Sequence, residues 1–182
     1  MTILEWLKKH PTGIDIRERR LILAYIMKCT PEWIIAHETM HLDHQKKERA
    51  NIALQQRKHG TPLAHIIGSK EFYGLTFTVT KHALIPRPET ELLIDIVSHI
   101  LPPITKTHII DVGTGSGCIA VTLARLLPRA RIIATDISKN DLTIARKNAR
   151  ILGVAPRVKF IQTHLLPAKI MPDIVVANLP YL

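Results

Sequence analysis

Apolar positions along the chain change their spacing near residue 60. Up to about Lys58 they recur at helical intervals. Ile3, Leu4, Trp6 and Leu7 make one short amphipathic turn. Ile16, Leu21, Leu23, Ala24 and Met27 then stand among Arg17, Glu18, Arg19 and Arg20, which predicts a helix over 16–27. Thr30 followed by Pro31 reads as an N-cap and a first helical residue, ahead of the apolar Trp33, Ile34 and Ile35. A charged helix follows from Leu42 to Lys58, with Leu42, Ile52, Ala53 and Leu54 as its few apolar positions, and Gly60-Thr61-Pro62 breaks it.

Beyond that break the period shortens to two. Leu75, Phe77 and Val79 alternate with Thr76 and Thr78, and Glu71-Phe72-Tyr73 ahead of Gly74 predicts a hairpin. Pro86 and Pro88 around Arg87 hold a stiff extended segment. Glu89, Thr90 and Glu91 open a helix to about Ile100, with acids where the helix dipole favours them, and Pro102 and Pro103 end it. Strands and helices then alternate: a strand from His108, a helix from Cys118 to Leu127, a strand from Arg131 to Asp136, and a helix from Lys139 to about Leu152. Ser138 caps that last helix, and Gly153 and Pro156 stop it. Short strands at Val158–Ile161 and Asp173–Ala177 follow, the last of them apolar enough to expect burial on both faces. Such alternation predicts an α/β fold, a parallel, doubly wound sheet with right-handed crossovers. Three segments result: helices over 1–60, a hairpin and proline-rich linker over 61–88, and an α/β domain over 89–182.

Candidate chemistry sits where the first strand of that sheet ends, at His108-Ile109-Ile110-Asp111-Val112-Gly113-Thr114-Gly115-Ser116-Gly117. Glycines let the backbone turn sharply and let a ligand lie against bare main chain, and the helix start offers unpaired N–H groups. A dinucleotide site wants G-x-G-x-x-G with pyrophosphate on the helix N-terminus. Here the third glycine comes one residue early, and Cys118 stands where that site wants glycine. The shorter G-x-G-x-G, with Asp111 two residues ahead, suits a ligand that lacks pyrophosphate and carries positive charge, such as S-adenosylmethionine. Asp136 closes the next strand about twenty residues on, the place from which a carboxylate accepts ribose hydroxyls. A glycine turn without a ligand is the plain alternative.

Asn178-Leu179-Pro180-Tyr181 follows the last strand. Asn and Pro favour turns, so a strand-ending turn is the simpler account. Beside a methyl donor the stretch has another use. A conjugated planar nitrogen, in a carboxamide or on an adenine, is a poor nucleophile. The Asn178 side-chain oxygen and the next main-chain carbonyl can hold its two N–H groups and stabilise the charge that develops on transfer. Tyr181 can stack on the flat group. Gly113–Gly117, Asp136 and Asn178 all fall past the carboxyl ends of strands, where ligands of such sheets bind.

Charge and residue counts narrow the partners. The 182 residues carry a formal net charge of +10, which favours an acidic or nucleic-acid partner, with the ribosome as the first choice. Cys29 and Cys118 fall in different predicted helices with no metal spacing, which argues for a reducing, cytoplasmic compartment. No apolar run reaches the length of a membrane span. His37, His41 and His44 stand at i, i+4 and i+7, a spacing that could line one helix face. A metal site there is outweighed by an exposed histidine-rich face, and no metal is expected.

Pro62-Leu63-Ala64-His65-Ile66-Ile67-Gly68, Glu71-Phe72-Tyr73-Gly74 and Ile85-Pro86-Arg87-Pro88-Glu89-Thr90-Glu91 together give the chain a family likeness. It resembles the bacterial protein-(glutamine-N5) methyltransferases that modify peptide chain release factors. The resemblance implies a helical N-terminal domain that helps hold the release factor, a hairpin linker and a Rossmann-like class I methyltransferase sheet. It implies S-adenosylmethionine contacts at Asp111, Gly113, Thr114, Gly115, Ser116, Gly117 and Asp136, with Asn178 at their edge. It also implies a substrate-glutamine clamp at Asn178, Leu179, Pro180 and Tyr181, with Arg87 beside it and with Asn178 and Tyr181 as the catalytic pair. Three departures accompany it. Leu179 stands where the family has proline, which keeps the carbonyl and loses some rigidity. Where the family often has an acid near adenine, this chain has Gln162-Thr163-His164-Leu165, so His164 and Leu165 are its adenine-side contacts. The chain also stops at Leu182, roughly a hundred residues short of the family's length, so a fragment is expected, its last strand an exposed edge.

The leading expectation is therefore methyl transfer to a release-factor glutamine, with ribosome association as a further part. The runner-up is adenine-N6 methylation of RNA or DNA, since Asn-Leu-Pro-Tyr resembles the motif of ribosomal RNA adenine dimethyltransferases. The third is a non-catalytic module that binds cofactor or the translation machinery.

Overall fold

The computed structural model describes residues 1–9, 13–81, 84–166 and 170–179. The chain divides into two compact units, 1–68 and 69–182.

The first unit is helical: α1 (Ile3–Lys9), α2 (Ile16–Met27), α3 (Pro31–Ala36), α4 (His44–Lys58) and α5 (Leu63–Ile67). Its starts are set by side chains that accept the orphan N–H groups of a first turn. Asp15 accepts from Arg17, Thr30 from Trp33 and Asp43 from Lys46. The helix α2 stops at Lys28, whose φ of 56° is left-handed, and α5 stops at Gly68 at φ 77°. Ile3, Trp6, Leu7, Ile22, Leu23, Ile34 and Leu54 form the core. The charged face of α4 is tied back by Arg57, whose Nε and Nη2 donate to both Glu18 oxygens at 2.8 and 3.1 Å. The helical face imagined for the histidines does not exist. His37 is the C-cap of α3, His41 bridges to Thr2 in extended backbone, and His44 opens α4. The break between α3 and α4 runs through them, which residue spacing alone could not reveal. Cys29 likewise lies just past α2 rather than within a helix.

The second unit begins with a hairpin, β1 (Ser69–Phe72) and β2 (Leu75–Thr78). Tyr73 and Gly74 turn it at φ 50° and 69°, the both-positive pair that matches strand twist. A 3-10 turn (Pro88–Thr90) leads into α6 (Glu91–Ile100). Then come β3 (His108–Val112), α7 (Cys118–Leu126), β4 (Arg131–Asp136), α8 (Lys139–Ile151), β5 (Val158–Gln162) and β6 (Ile174–Ala177). All four strands of this second sheet are parallel, in the order β5-β4-β3-β6.

Register explains which side is packed. Ile109 pairs with Ile132 and Ile174, Ile132 with Val158, and Asp111 with Ala134 and Val176, so these residues share one face. That face meets Ile94 and Val97 of α6, Ile119, Ala120 and Leu123 of α7, and Ala149 of α8 in one core. Among the described residues, helices therefore cover one face of the sheet. Of the two expectations for the last strand, burial on both faces fails and an exposed edge holds among the described residues. At the edge of the described sheet, only Val176 of β6 is buried, and Val175 is 48% exposed. The sequence pattern sees four apolar residues in a row but not which neighbour each face finds.

Candidate active site at the carboxyl ends of the strands

Register also forces the site together. Val112 pairs with Thr135 on one side and with Ala177 on the other. The residues that follow, Gly113, Asp136 and Asn178, must then stand side by side at one end of the sheet.

The glycine turn is held from beneath. Gly117 is the N-cap of α7 and has no side chain to satisfy the helix's first N–H groups. Asp111 does this from β3. Its Oδ2 accepts from the Ala120 N–H at 3.1 Å and from the Thr114 hydroxyl at 2.6 Å. The Thr114 N–H donates to the Thr135 carbonyl at 2.8 Å, which pins the turn to β4. Asp111 is fully buried, and its Oδ1 has no hydrogen-bond partner among the described residues. Burial pushes its carboxyl up to about 7, against the pull of the Thr114 and Ala120 bonds, with Asp136 adding to the rise. Burial likewise pushes the Cys118 thiol up to about 12, so this cysteine is no nucleophile.

Asp136 spans the mouth of the turn. Its Oδ2 accepts from the Gly115 N–H at 2.9 Å and its Oδ1 from the Ser138 N–H at 2.8 Å. Each oxygen keeps a second lone pair for a ligand hydroxyl. Gly113, Gly115 and Gly117 have φ of 69°, 54° and 84°, which side chains resist. A Cβ on Gly115 would meet nothing, so this residue presents bare backbone to open space, whereas one on Gly113 would stand 2.5 Å from Leu179 Cδ2. Leu179 thus lies directly on the first glycine.

Asn178 is aimed by a residue that sequence reasoning missed. Its Nδ2 donates to Thr90 Oγ1 at 2.8 Å, across 88 positions of chain. Thr90 is buried at the end of the 3-10 turn. With the amide nitrogen engaged, the carboxamide keeps its oxygen as a free acceptor among the described residues. A cavity of about 630 Å³ opens here, lined by Leu84, Arg87, Glu89, Thr90, Leu93, Ala177, Asn178 and Leu179. It brings together Arg87, Asn178 and Leu179 of the expected substrate residues. Pro180 and Tyr181 lie outside the described residues. His164 and Leu165 are exposed in the segment after β5, which starts beside the turn through the Thr163 N–H donating to the Asp136 carbonyl at 3.1 Å. Among the described residues, no hydrogen bond ties the His164 side chain to the other expected contacts.

Asn148 is the second residue missed. It is buried in α8, and its Nδ2 donates to the carbonyls of Thr78 at 2.9 Å and Ser116 at 2.8 Å. Its Oδ1 accepts from the Thr78 N–H at 2.8 Å. One carboxamide thereby joins the hairpin to the glycine turn. The signal was present as an Asn between Ala145 and Ala149 on the apolar face of α8.

Comparison with known proteins agrees with this arrangement. Residues 4–68 match the family model described as the PrmC N-terminal domain. Residues 87–179 match that of ribosomal protein L11 methyltransferase, a likeness confined to the sheet unit. Relatives that align through both units include release factor glutamine methyltransferases. That of Koribacter versatilis is 40% identical over 95% of this chain and 64% of its own. That of Bordetella pertussis is 34% identical over 100% of this chain and 67% of its own. That of Neisseria gonorrhoeae is 39% identical over 100% and 66%. The chain thus spans about two thirds of the length of these relatives. Among solved structures, human methyltransferase 10 domain containing protein superposes with a TM-score of 0.52 at 23% identity, over 74% of this chain and 61% of that one. The delta-N METTL16 methyltransferase domain gives 0.52 at 23%, over 78% and 64%. These two show the fold. With relatives aligned from the helical unit through the Asn178 loop, the chain belongs to the release factor glutamine methyltransferase family.

Proposed function

We propose that this chain carries the methyl-transfer site of an enzyme that methylates a glutamine side-chain amide in peptide chain release factors. The carrying observation is the Asn178–Thr90 bond, which leaves one carboxamide oxygen as an acceptor in a cavity that adjoins the glycine turn through Leu179 and Gly113. The relatives' names supply the substrate class.

S-adenosylmethionine fits the residues present. Gly115 offers bare main chain, Asp136 offers acceptor lone pairs, and the buried Oδ1 of Asp111 lacks a partner among the described residues. Gly113 to Gly117, Asp111 and Asp136 would hold it, and His164 and Leu165 are proposed to lie on its adenine side. When bound, it supplies an electrophilic methyl group on a sulfonium. The chain's own part is to hold the acceptor. Asn178 Oδ1 takes one N–H of the glutamine amide, and the Leu179 main-chain carbonyl is proposed to take the other. Both oxygens then face a nitrogen that becomes positive as it is alkylated, and its extra proton leaves afterwards, so no strong base is required. Leu179 and Arg87 bound the glutamine's approach, and Pro180 and Tyr181 complete the grip in this reading. The helical unit is proposed to help dock the release factor. Ribosome association is a finer part of the reading, supported by the +10 charge, and a cytoplasmic setting by the two unpaired cysteines.

Incubation with methyl-labelled donor, together with a release factor or with ribosomal RNA, tests the proposal. Label is expected on the release factor and is lost when its acceptor glutamine is replaced. Label on RNA alone rejects it in favour of adenine methylation. Donor binding without any transfer rejects it in favour of a non-catalytic module.

A further inference from the structure

Parallel strands all start at one end of a sheet, and here that end collects positive charge. Lys106 stands two residues before β3, Arg131 opens β4, and Arg157 immediately precedes β5. With Arg129, Pro128 and Ala130 they line an open groove of about 620 Å³. Its place is fixed by topology. The candidate active site lies past the carboxyl ends of the same strands, about 16 Å away for a strand of this length.

The arginines in and beside this groove are anchored from behind. Arg157 Nη1 donates to the carbonyls of Ala124 and Leu127, at the C-terminus of α7. Arg131 Nη1 donates to the Pro156 carbonyl at 3.4 Å, and Arg125 Nη1 to that of Leu152 at 3.4 Å. Each guanidinium thus spends one nitrogen on the protein and keeps the rest of its fork. None of the three forms an ion pair among the described residues. Asp173, the carboxylate beside the groove, is already engaged by the His108 N–H at 2.7 Å and the Thr107 hydroxyl at 3.1 Å. Burial, then the neighbouring Arg131 and Arg125, hold the Arg157 guanidinium below its ordinary range.

We infer that this groove binds the phosphate backbone of an RNA strand, at the sheet end opposite the methyl-transfer site. Pre-organised guanidinium forks match phosphate oxygens, and a backbone carries one charge per nucleotide. An acidic protein is the weaker fit. Protein partners are anchored by large apolar or aromatic side chains in pockets, and this groove is lined by basic and small residues. The choice of RNA over DNA rests on the proposed function, which places the enzyme in translation. The groove itself does not depend on that reading.

Fluorescence anisotropy with a short labelled single-stranded RNA tests this on the whole chain, without methyl donor, so the result stands apart from methyl transfer. Log affinity against log salt should fall with a slope of about −0.7 per phosphate neutralised, near −3 for four basic groups. Lys106 and Arg129 make no hydrogen bond or ion pair among the described residues, so the double variant K106E/R129E should melt as the parent does. It should bind RNA at least about tenfold more weakly and flatten the slope by about 1.4. Addition of S-adenosylhomocysteine should not displace the RNA. Unchanged affinity in the double variant, tighter binding of DNA of the same sequence, or displacement by polyglutamate at equal charge overturns the inference.

Discussion

The Nδ2 of Asn178 rests 2.8 Å from the Thr90 hydroxyl oxygen. This joins the loop after the last strand to the turn before α6 and fixes which edge of the carboxamide is free. If that bond sets the acceptor oxygen, Thr90→Val should lower kcat while leaving the affinity for S-adenosylhomocysteine within about twofold. Misplacing one positioning group by about 1 Å can cost roughly a hundredfold. Thr90→Ser keeps the hydroxyl and should restore most of the rate. Steady-state kinetics beside calorimetry checks this, and a loss in donor affinity that matches the loss in kcat would contradict it.

Two glycines in one turn should respond differently. Gly113→Ala places a methyl 2.5 Å from Leu179 Cδ2 in addition to its left-handed φ. Gly115→Ala meets nothing, so its cost to the fold is the φ alone, about 1–2 kcal/mol. The first should lower Tm more than the second, and Leu179→Ala should recover the difference between them. Gly115→Ala should still weaken donor binding, because the methyl occupies the space the turn leaves open.

Asp111 should make stability depend on pH in the direction opposite to most carboxylates. Its folded value, about 7, lies above the unfolded one. Between roughly pH 4 and 7 the folded state therefore holds the extra proton, so this group's contribution falls as pH rises and levels off above 7. The span corresponds to a few kcal/mol, on the order of 1.4 per unit. Asp111→Asn can still accept from Thr114 and Ala120, so it should fold and lose this slope. Urea melts of both proteins across the range measure it, and parallel pH profiles would refute it.

Asn148 makes three buried hydrogen bonds to backbone groups. Asn148→Leu leaves the Thr78 N–H and two carbonyls without their partner, at about 1–3 kcal/mol for a buried unsatisfied group. Tm should fall by several degrees. Amide exchange should accelerate first at Thr78 and in the glycine turn rather than throughout the unit.

Much of this architecture was legible before any coordinates. Elements with strong local signals were read well, because cap, period and stop agree. Thr30-Pro31, Ser138 and the glycine turn are examples. The helix α5 was missed since five residues after a proline carry too little periodicity. The histidine spacing misled because it ran across the break between α3 and α4. At the site, Asp111, Gly113 and Asp136 were visible as types at a spacing. What those groups hold was not. Asp111 caps the helix that follows its own glycine turn, and Asp136 grips Gly115 across the register of β3 and β4. Thr90 and Asn148 act across 88 and 70 positions, a distance at which a single sequence holds no pairing information.

The central claim is that Asn178 presents a glutamine amide to a methyl donor. Mass spectrometry of a release factor after incubation with this protein and S-adenosylmethionine tests it most directly, with the Asn178→Ala variant alongside. The account predicts one added methyl, located by fragmentation on a glutamine side-chain nitrogen, and its loss in the variant while S-adenosylhomocysteine still binds. A methyl group on any other residue, or an undiminished rate in Asn178→Ala, would contradict it.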